Sequence, residues 1–229
     1  MGMFDEIAKR IALKFRTPVL FNDLKRTGPV SRSFGFDRGT PVDRHYIDGF
    51  LAGKKDLIRG RVLEVAEARY AGRFGSGAVA GIDVLHIEKK EGATITGDLA
   101  SPETLPQAVA DCFICTQTLH CIFDVKAAVL GAHKMLRPGG VILATLPGIS
   151  QISRYDMDRW GDYWRFTSAS AQKLFSPIFK GGLEIEVFGN CLSACAMLQG
   201  VAVEDLPDKK ALDDVDRDYE VIIGVVARK

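Results

Sequence analysis

Residues 111 to 146 leave little freedom in how this chain can fold. An apolar run from Asp111 to Leu119 is followed by His120 and Asp124, and then by a helical stretch over residues 125–135. Leu136-Arg137-Pro138-Gly139-Gly140 reads as a tight stop, and a second apolar run occupies residues 141–146. Short apolar runs bounded by turn residues mark strands buried on both faces. Parallel neighbours need a crossover of about this length, usually a helix. The segment therefore predicts one half of a parallel α/β sheet.

The same patterning extends in both directions. Residues 61–65, 79–85, 93–96 and 113–118 are expected as the first four strands, 141–146 as the fifth, 183–188 as the sixth and 219–227 as the seventh. Residues 168–175 predict a helix capped by Thr167 and stopped near Pro177. Residues 190–203 read as helix and loop, and the acidic stretch 204–218 as a solvated connection. Ahead of the first strand, Phe4, Ile7, Ile11 and Phe15 recur at helical spacing with charges between them. Thr40-Pro41-Val42-Asp43 reads as a helix start, with a capping hydroxyl and a proline at the first position. Tyr46, Ile47, Phe50 and Leu51 form the apolar face of that helix, and Gly53 ends it. The expected fold is a Rossmann-like, seven-stranded, mostly parallel sheet with helices on both faces. It spans residues 56–229 and follows a helical extension over residues 1–55.

Composition narrows the function. With 30 basic and 29 acidic residues the net charge is +1, which points to neither nucleic acid nor an anionic membrane. No apolar run has the length of a membrane span. Charges at Asp5, Glu6, Lys9 and Arg10 stand where a signal peptide needs its apolar stretch, so a cytoplasmic protein is expected. Cys112 and Cys115 are three apart in a strand and should face opposite ways, which suits neither a disulfide nor a shared metal. Cys191 and Cys195 can share a helix face but lack partners at metal spacing, so no metal is expected. The oligomeric state is not written in the sequence.

An open parallel sheet binds its ligand outside the carboxyl ends of its strands, where strand order reverses. The loop after the first strand is Glu64-Val65-Ala66-Glu67-Ala68-Arg69-Tyr70. Its alanines permit close approach of a ligand to the backbone, but positive φ is costly there. Asp83 follows Glu64 by 19 residues, at the expected end of the second strand, where a carboxylate can grip a ribose diol. Gly97-Asp98-Leu99 follows the third strand, and Thr116, Gln117 and Thr118 end the fourth. Each acid has a plain alternative: Glu64 and Asp83 taking backbone N–H bonds, Asp98 capping a turn.

The stop Leu136–Gly140 resembles the segment before the fifth strand of class I S-adenosylmethionine (SAM)-dependent methyltransferases. In most of these the first loop is Glu/Asp-x-Gly-x-Gly-x-Gly, and here alanines replace the glycines. From about Phe34 onward the chain resembles a branch of that class associated with glycosyltransferases and surface-polysaccharide clusters. The resemblance rests on Arg38-Gly-Thr-Pro-Val-Asp-Arg44, Thr116-Gln-Thr-Leu119, Pro147-Gly-Ile-Ser-Gln-Ile-Ser153 and Gly161-Asp-Tyr-Trp-Arg-Phe-Thr167. That branch uses an atypical first loop with a tyrosine, here Tyr70. The resemblance implies SAM as cofactor, held by Glu64, Val65, Ala66, Glu67, Tyr70, Asp83, Asp98, Leu99, Thr116, Gln117 and Thr118. Arg44 and Tyr46, on the covering helix, complete the expected set. An NAD-dependent oxidoreductase would share the fold, but its G-x-G-x-x-G is missing. A non-catalytic binding protein with this fold is a further alternative, which the Ala66/Ala68 loop permits.

The acceptor side is expected between the fifth strand and the next helix. Tyr155, Trp160, Tyr163, Trp164 and Phe166 alternate there with Asp156, Asp158, Arg159, Asp162 and Arg165. Aromatic faces beside carboxylates and guanidinium groups suit a carbohydrate; the plain alternative is that the rings pack the loop onto the sheet. A hydroxyl acceptor must lose a proton as it attacks, whereas a carboxylate need not. His120, leaving the fourth strand, is the first candidate base and Asp162 the second. The reading is O-methylation of a sugar or glycan-related hydroxyl, with a small natural product or a peptide carboxylate as the alternative acceptor.

Overall fold

The computed structural model describes residues 25, 27–75 and 77–229, and seven strands of it form one sheet. They are β1 (Gly60–Val65), β2 (Val79–His86), β3 (Ile95–Thr96), β4 (Ala110–Thr116), β5 (Leu136–Pro147), β6 (Leu183–Phe188) and β7 (Ile222–Arg228). Helices are α1 (Val42–Gly53), the single-turn α2 (Ala71–Phe74), α3 (Val125–Met135), the single-turn α4 (Arg154–Met157), α5 (Ser168–Phe175) and α6 (Cys191–Gln199). The sheet order is β3-β2-β1-β4-β5-β7-β6. Strands β1 to β5 run parallel, and β7 lies antiparallel between β5 and β6. The expected seven-stranded, mostly parallel sheet with helices on both faces is the observed one. The amphipathic stretch at residues 4–15 falls outside the described residues.

Alternation along the strands divides the interior into two cores. In β4, Cys112 and Ile114 pack with residues of α1 and α6, while Phe113 and Cys115 pack with residues of α3 and α5. The two thiols thus sit on opposite faces, unbridged. Burial drives this packing, at roughly 25 cal/mol per Å² of apolar surface. Thr167 caps α5 as expected, its hydroxyl accepting from the Ser170 N–H.

Several local expectations change. The 136–140 segment is the beginning of β5 rather than a turn, because α3 passes into it without a gap. Leu136 pairs with Ala110, and Gly139 and Gly140 exchange backbone hydrogen bonds with Lys229. β4 ends at Thr116, not at 118, and β3 shrinks to two residues. Thr40 caps no helix: α1 starts without a side-chain cap, and the Thr40 N–H and hydroxyl both donate to Glu204, at 2.7 and 2.8 Å. Arg38 donates to both oxygens of Asp205. Two residues of the supposed solvated stretch therefore pin down the segment ahead of α1. Among the described residues, no helix is long and apolar enough to cross a membrane.

α1 lies close over the antiparallel edge because β7 carries Gly224 beneath it. A Cβ at Gly224 would stand 2.7 Å from two carbons of the Phe50 ring, which is itself buried and cannot yield cheaply. Gly224→Ala is expected to cost about 1–3 kcal/mol through overpacking, read as a lowered urea or thermal unfolding midpoint.

Candidate functional site

From β1 the chain moves outward through β2 to β3, then returns and moves the other way through β4 to β5. The reversal opens a crevice at the carboxyl ends of β1 and β4, the general ligand position of such sheets. The loop leaving β1 is organised by one buried carboxylate. Glu64 is 1% exposed and accepts the N–H groups of Arg69 and Tyr70 on one oxygen and of Ala71 on the other, at 2.9, 2.8 and 2.8 Å. Within this loop Ala66 holds φ at 68°, the left-handed region that a Cβ disfavours by about 1–2 kcal/mol. Across the crevice Gln117 holds φ at 45° as it leaves β4, with its N–H on the Thr145 carbonyl. Strained non-glycine residues thus stand at both lips, and such strain persists where the surroundings impose it.

Arg44 of α1 approaches the same loop. Its Nη1 donates to the buried Tyr70 hydroxyl at 2.8 Å, and its guanidinium lies 5.8 Å from the centre of the Phe36 ring. Arg44 Nε is buried and makes no hydrogen bond among the described residues, although the Asp43 carboxylate stands 3.7 Å from it as an ion-pair partner. An unmet cationic donor beside a ligand loop suits a carboxylate. Tyr46 is a correction. Two residues along a helix turn a side chain by about 200°, so it points away from Arg44. It is buried against Phe188, 5.8 Å between ring centres, and belongs to the core.

Asp83 is a second correction. β2 continues to His86, so Asp83 stops short of the carboxyl edge by three residues, or about 10 Å. Arg61 of β1 grips both its oxygens, at 2.6 and 2.9 Å, and the Thr94 hydroxyl donates to it as well. The Arg61 hydrogen bonds hold its carboxyl below the ordinary carboxylate range. At the edge itself stands His86, and just beyond it Glu88, the one of the two that sequence reasoning did not assign. Asp98 accepts from the Ala100 N–H, making the turn that was its plain alternative, and Leu99 is buried in the core. Val65 is half-buried at the end of β1, while Glu67 is exposed. Thr116, Gln117 and Thr118 are half-buried at the end of β4, with the Thr118 hydroxyl on the Thr116 carbonyl.

Beyond the end of β4, His120 is 6% exposed and its Nδ1 has no partner among the described residues. Burial pushes its pKa below the ordinary 6.5, although Asp162 acts in the opposite sense. The loop that follows β5 is closed by Arg165, which donates to the carbonyls of Ser150, Gln151 and Trp164 and to both oxygens of Asp162. Asp162 also accepts the Ser153 N–H at 2.9 Å. Burial alone would raise its pKa, but these hydrogen bonds bring it below the usual range. Both its oxygens are engaged, by three hydrogen bonds in all, so Asp162 acts as a strut of the loop.

The aromatic residues divide into two exposed groups. Tyr155 meets Trp160 edge to face at 5.9 Å, with the Arg159 guanidinium 3.7 Å from the Tyr155 ring centre. Tyr163 and Trp164 gather around Phe123, whose exposure of 70% is high for phenylalanine. Trp164 Nε1 donates to the carbonyls of Ile122 and Phe123 and fastens the loop to the exit of β4. Phe166 is buried and only packs. Phe123 escaped sequence reasoning because it sits between His120 and α3, apart from the other aromatics. His120, Cys121 and Asp156 also bring ligand-type atoms within 4.8 Å of one another, a grouping that sequence spacing does not reveal. Burial pushes the Cys121 thiol up to about 12, so it is uncharged there.

Residues 63–144 match the family model described as a methyltransferase domain. No curated protein matches the sequence. Solved structures share the fold at low identity. A SAM-dependent methyltransferase from Mesorhizobium loti aligns with a TM-score of 0.52 and 17% identity over 82% of this chain and 98% of that one. The N-methyltransferase NodS from Bradyrhizobium japonicum, in complex with S-adenosyl-L-homocysteine, gives 0.52 and 13% over 91% and 97%. A SAM-dependent methyltransferase from Archaeoglobus fulgidus gives 0.51 and 10% over 81% and 94%. The chain has the class I methyltransferase fold.

Two measurements check this geometry. Asp83→Ala is expected to lower the unfolding midpoint by leaving Arg61 without its partner, while ligand affinity at the crevice stays within about twofold. Ala66→Gly removes a strain of about 1–2 kcal/mol and gives back about 0.4–1 through the freer unfolded chain. A small net stabilisation by thermal unfolding is the expected result, and a lowered midpoint would refute the strained assignment.

Proposed function

We propose that this chain is a SAM-dependent methyltransferase whose acceptor is a hydroxyl of a sugar or glycan-related molecule. The observation that carries the cofactor half is the crevice between β1 and β4, with strained residues on both lips and a buried glutamate fixing the loop between. The methyltransferase match over β1 to β5 supports it. SAM, when bound, supplies a methyl group on a positively charged sulfur. Glu64, through the backbone it arranges, fixes the loop Val65–Tyr70 around the cofactor. Arg44 would take the methionine carboxylate with Nε, which makes no hydrogen bond within the described residues, and Thr116, Gln117 and Thr118 would close the other side. The ribose side falls to His86 and Glu88.

The acceptor half rests on His120 and the exposed rings. Tyr155, Trp160, Tyr163 and Trp164 offer stacking faces for the C–H surfaces of a sugar. His120, buried and neutral near pH 7, presents an unpartnered Nδ1 that can accept the hydroxyl proton. With Asp162 bound to Arg165, this reading assigns the base to His120. That lock also favours a second reading, a carboxylate acceptor, which needs no base.

Calorimetric titration with SAM, S-adenosylhomocysteine and NAD tests the first half. Binding of the first two and not of NAD is expected, and Arg44→Ala should weaken SAM by about 1.5–3 kcal/mol, tenfold or more in Kd. No heat with either SAM ligand would leave the non-catalytic reading.

Turnover on a panel of glycosides, carboxylates and amines tests the second half. For a hydroxyl acceptor, His120→Asn should lower kcat about 10²–10⁴-fold with SAM binding intact. The rate should also fall on the acid side: protonation removes the base, and burial places that limb below pH 6.5. Trp160→Ala should raise the acceptor KM and leave SAM affinity alone. Turnover confined to carboxylates, unaffected by His120→Asn, would select the second reading.

A further inference from the structure

Two segments distant in sequence place metal-ligand atoms side by side. The short turn Leu119–Cys121 leaves β4 with His120 and Cys121, and α4, in the loop after β5, carries Asp156. One ligand atom from each of the three lies within 4.8 Å of the others. Backbone hydrogen bonds hold the two pieces in place. The Tyr163 N–H donates to the His120 carbonyl at 2.9 Å, and the Ser153 hydroxyl accepts the Asp156 N–H at the start of α4.

We propose that His120, Cys121 and Asp156 bind a zinc-class divalent cation. The spacing suits one: Cys121 Sγ stands 3.3 Å from His120 Nε2. Zinc held tetrahedrally by sulfur at about 2.3 Å and nitrogen at about 2.0–2.1 Å sets that edge at roughly 3.6 Å. The three groups also lack better partners. His120 is buried, and the Cys121 sulfur is the one polar neighbour of its ring among the described residues. A thiol is a weak partner for a buried imidazole. Asp156, half-buried, forms no ion pair among the described residues.

Imidazole and thiolate select zinc or cobalt over magnesium and calcium, which take oxygen ligands. The thiol enters as thiolate, its proton passing to water, so thiolate and carboxylate balance the two charges of the cation. The arginines around the site are committed elsewhere. Arg165 is bound to Asp162, Arg44 to Tyr70 and Asp43, and Arg159 to the Tyr155 carbonyl and ring. Arg154 is exposed. Three protein ligands leave the fourth position to water or to an oxygen of a small molecule. With the cation on Nε2 the ring proton sits on Nδ1. The base role given to His120 above therefore belongs to the metal-free chain, a consequence that rests on that reading.

Cobalt makes the site visible, because a thiolate bound to Co2+ gives a charge-transfer absorption. The titration uses the full chain without SAM, in a Cys191→Ser/Cys195→Ser background that removes the two exposed thiols. One Co2+ per chain is expected, displaced by Zn2+ and not by Mg2+, with the charge-transfer band abolished in Cys121→Ser. Calorimetry should show Zn2+ binding at least about tenfold weaker in Asp156→Asn and His120→Asn, since losing even an outer partner of a ligand costs that much. Zn2+ should raise the thermal unfolding midpoint of the parent and not that of Cys121→Ser, a measurement that also reports whether each variant is folded. Absence of the band in the folded parent, its survival in Cys121→Ser, or unchanged zinc affinity in Asp156→Asn would overturn the proposal. None of these outcomes depends on SAM, so the cofactor reading stands or falls separately.

Discussion

A buried carboxylate must be compensated, and in this protein the compensation shapes the edge of the sheet. Glu64 has lost its water and recovers three backbone N–H groups in exchange. Those bonds fold the chain back on itself immediately after β1 and impose the unfavourable backbone of Ala66. They also deliver Tyr70 to a buried position where its hydroxyl meets Arg44, which fixes the approach of α1. The glycine-poor loop and the covering helix are thus held through one side chain, where a glycine-rich turn would rely on backbone freedom.

Acids and arginines elsewhere at the sheet show a shared logic. Asp83 is consumed by Arg61, and Asp162 by Arg165, each in a bidentate grip that carboxylate and guanidinium geometry favours. These pairs fasten a strand to its neighbour and a loop to itself. The polar capacity left for ligands is correspondingly small, chiefly Arg44 Nε, which faces Asp43 without a hydrogen bond, and the His120 Nδ1.

The strands, their order of appearance and the capped α5 were legible in the sequence because periodicity and turn residues are local properties. Tyr46 was legible too, had the angle between it and Arg44 been applied. The fate of Asp83 was not, because it depends on register. Because Leu63 pairs with Asp83, residues 61 and 83 come to one face of neighbouring strands, and a one-residue slip would part them. The length of β5 was hidden for a related reason: residues 136–140 read as a turn until the end of the chain arrives to pair with them. Thr40 shows competition for one hydroxyl, in which the charged Glu204 prevails over the helix end. The aromatic cluster was half visible, with Phe123 lost because it lies distant in sequence from the rings it meets.

Arg165 gathers carbonyls from both ends of the loop that follows β5: Ser150 and Gln151 at its start, Trp164 at its close. Just past it, the Phe166 N–H returns to the Pro147 carbonyl at the tip of the strand. The residues between are tied off from the sheet as a cassette with a fixed footprint. Substitutions at Tyr155, Arg159 or Trp160 alter what the cassette displays and leave its stem untouched. Such a loop can change the surface it presents by rewriting a dozen or so residues, because a single guanidinium at its base holds the stem.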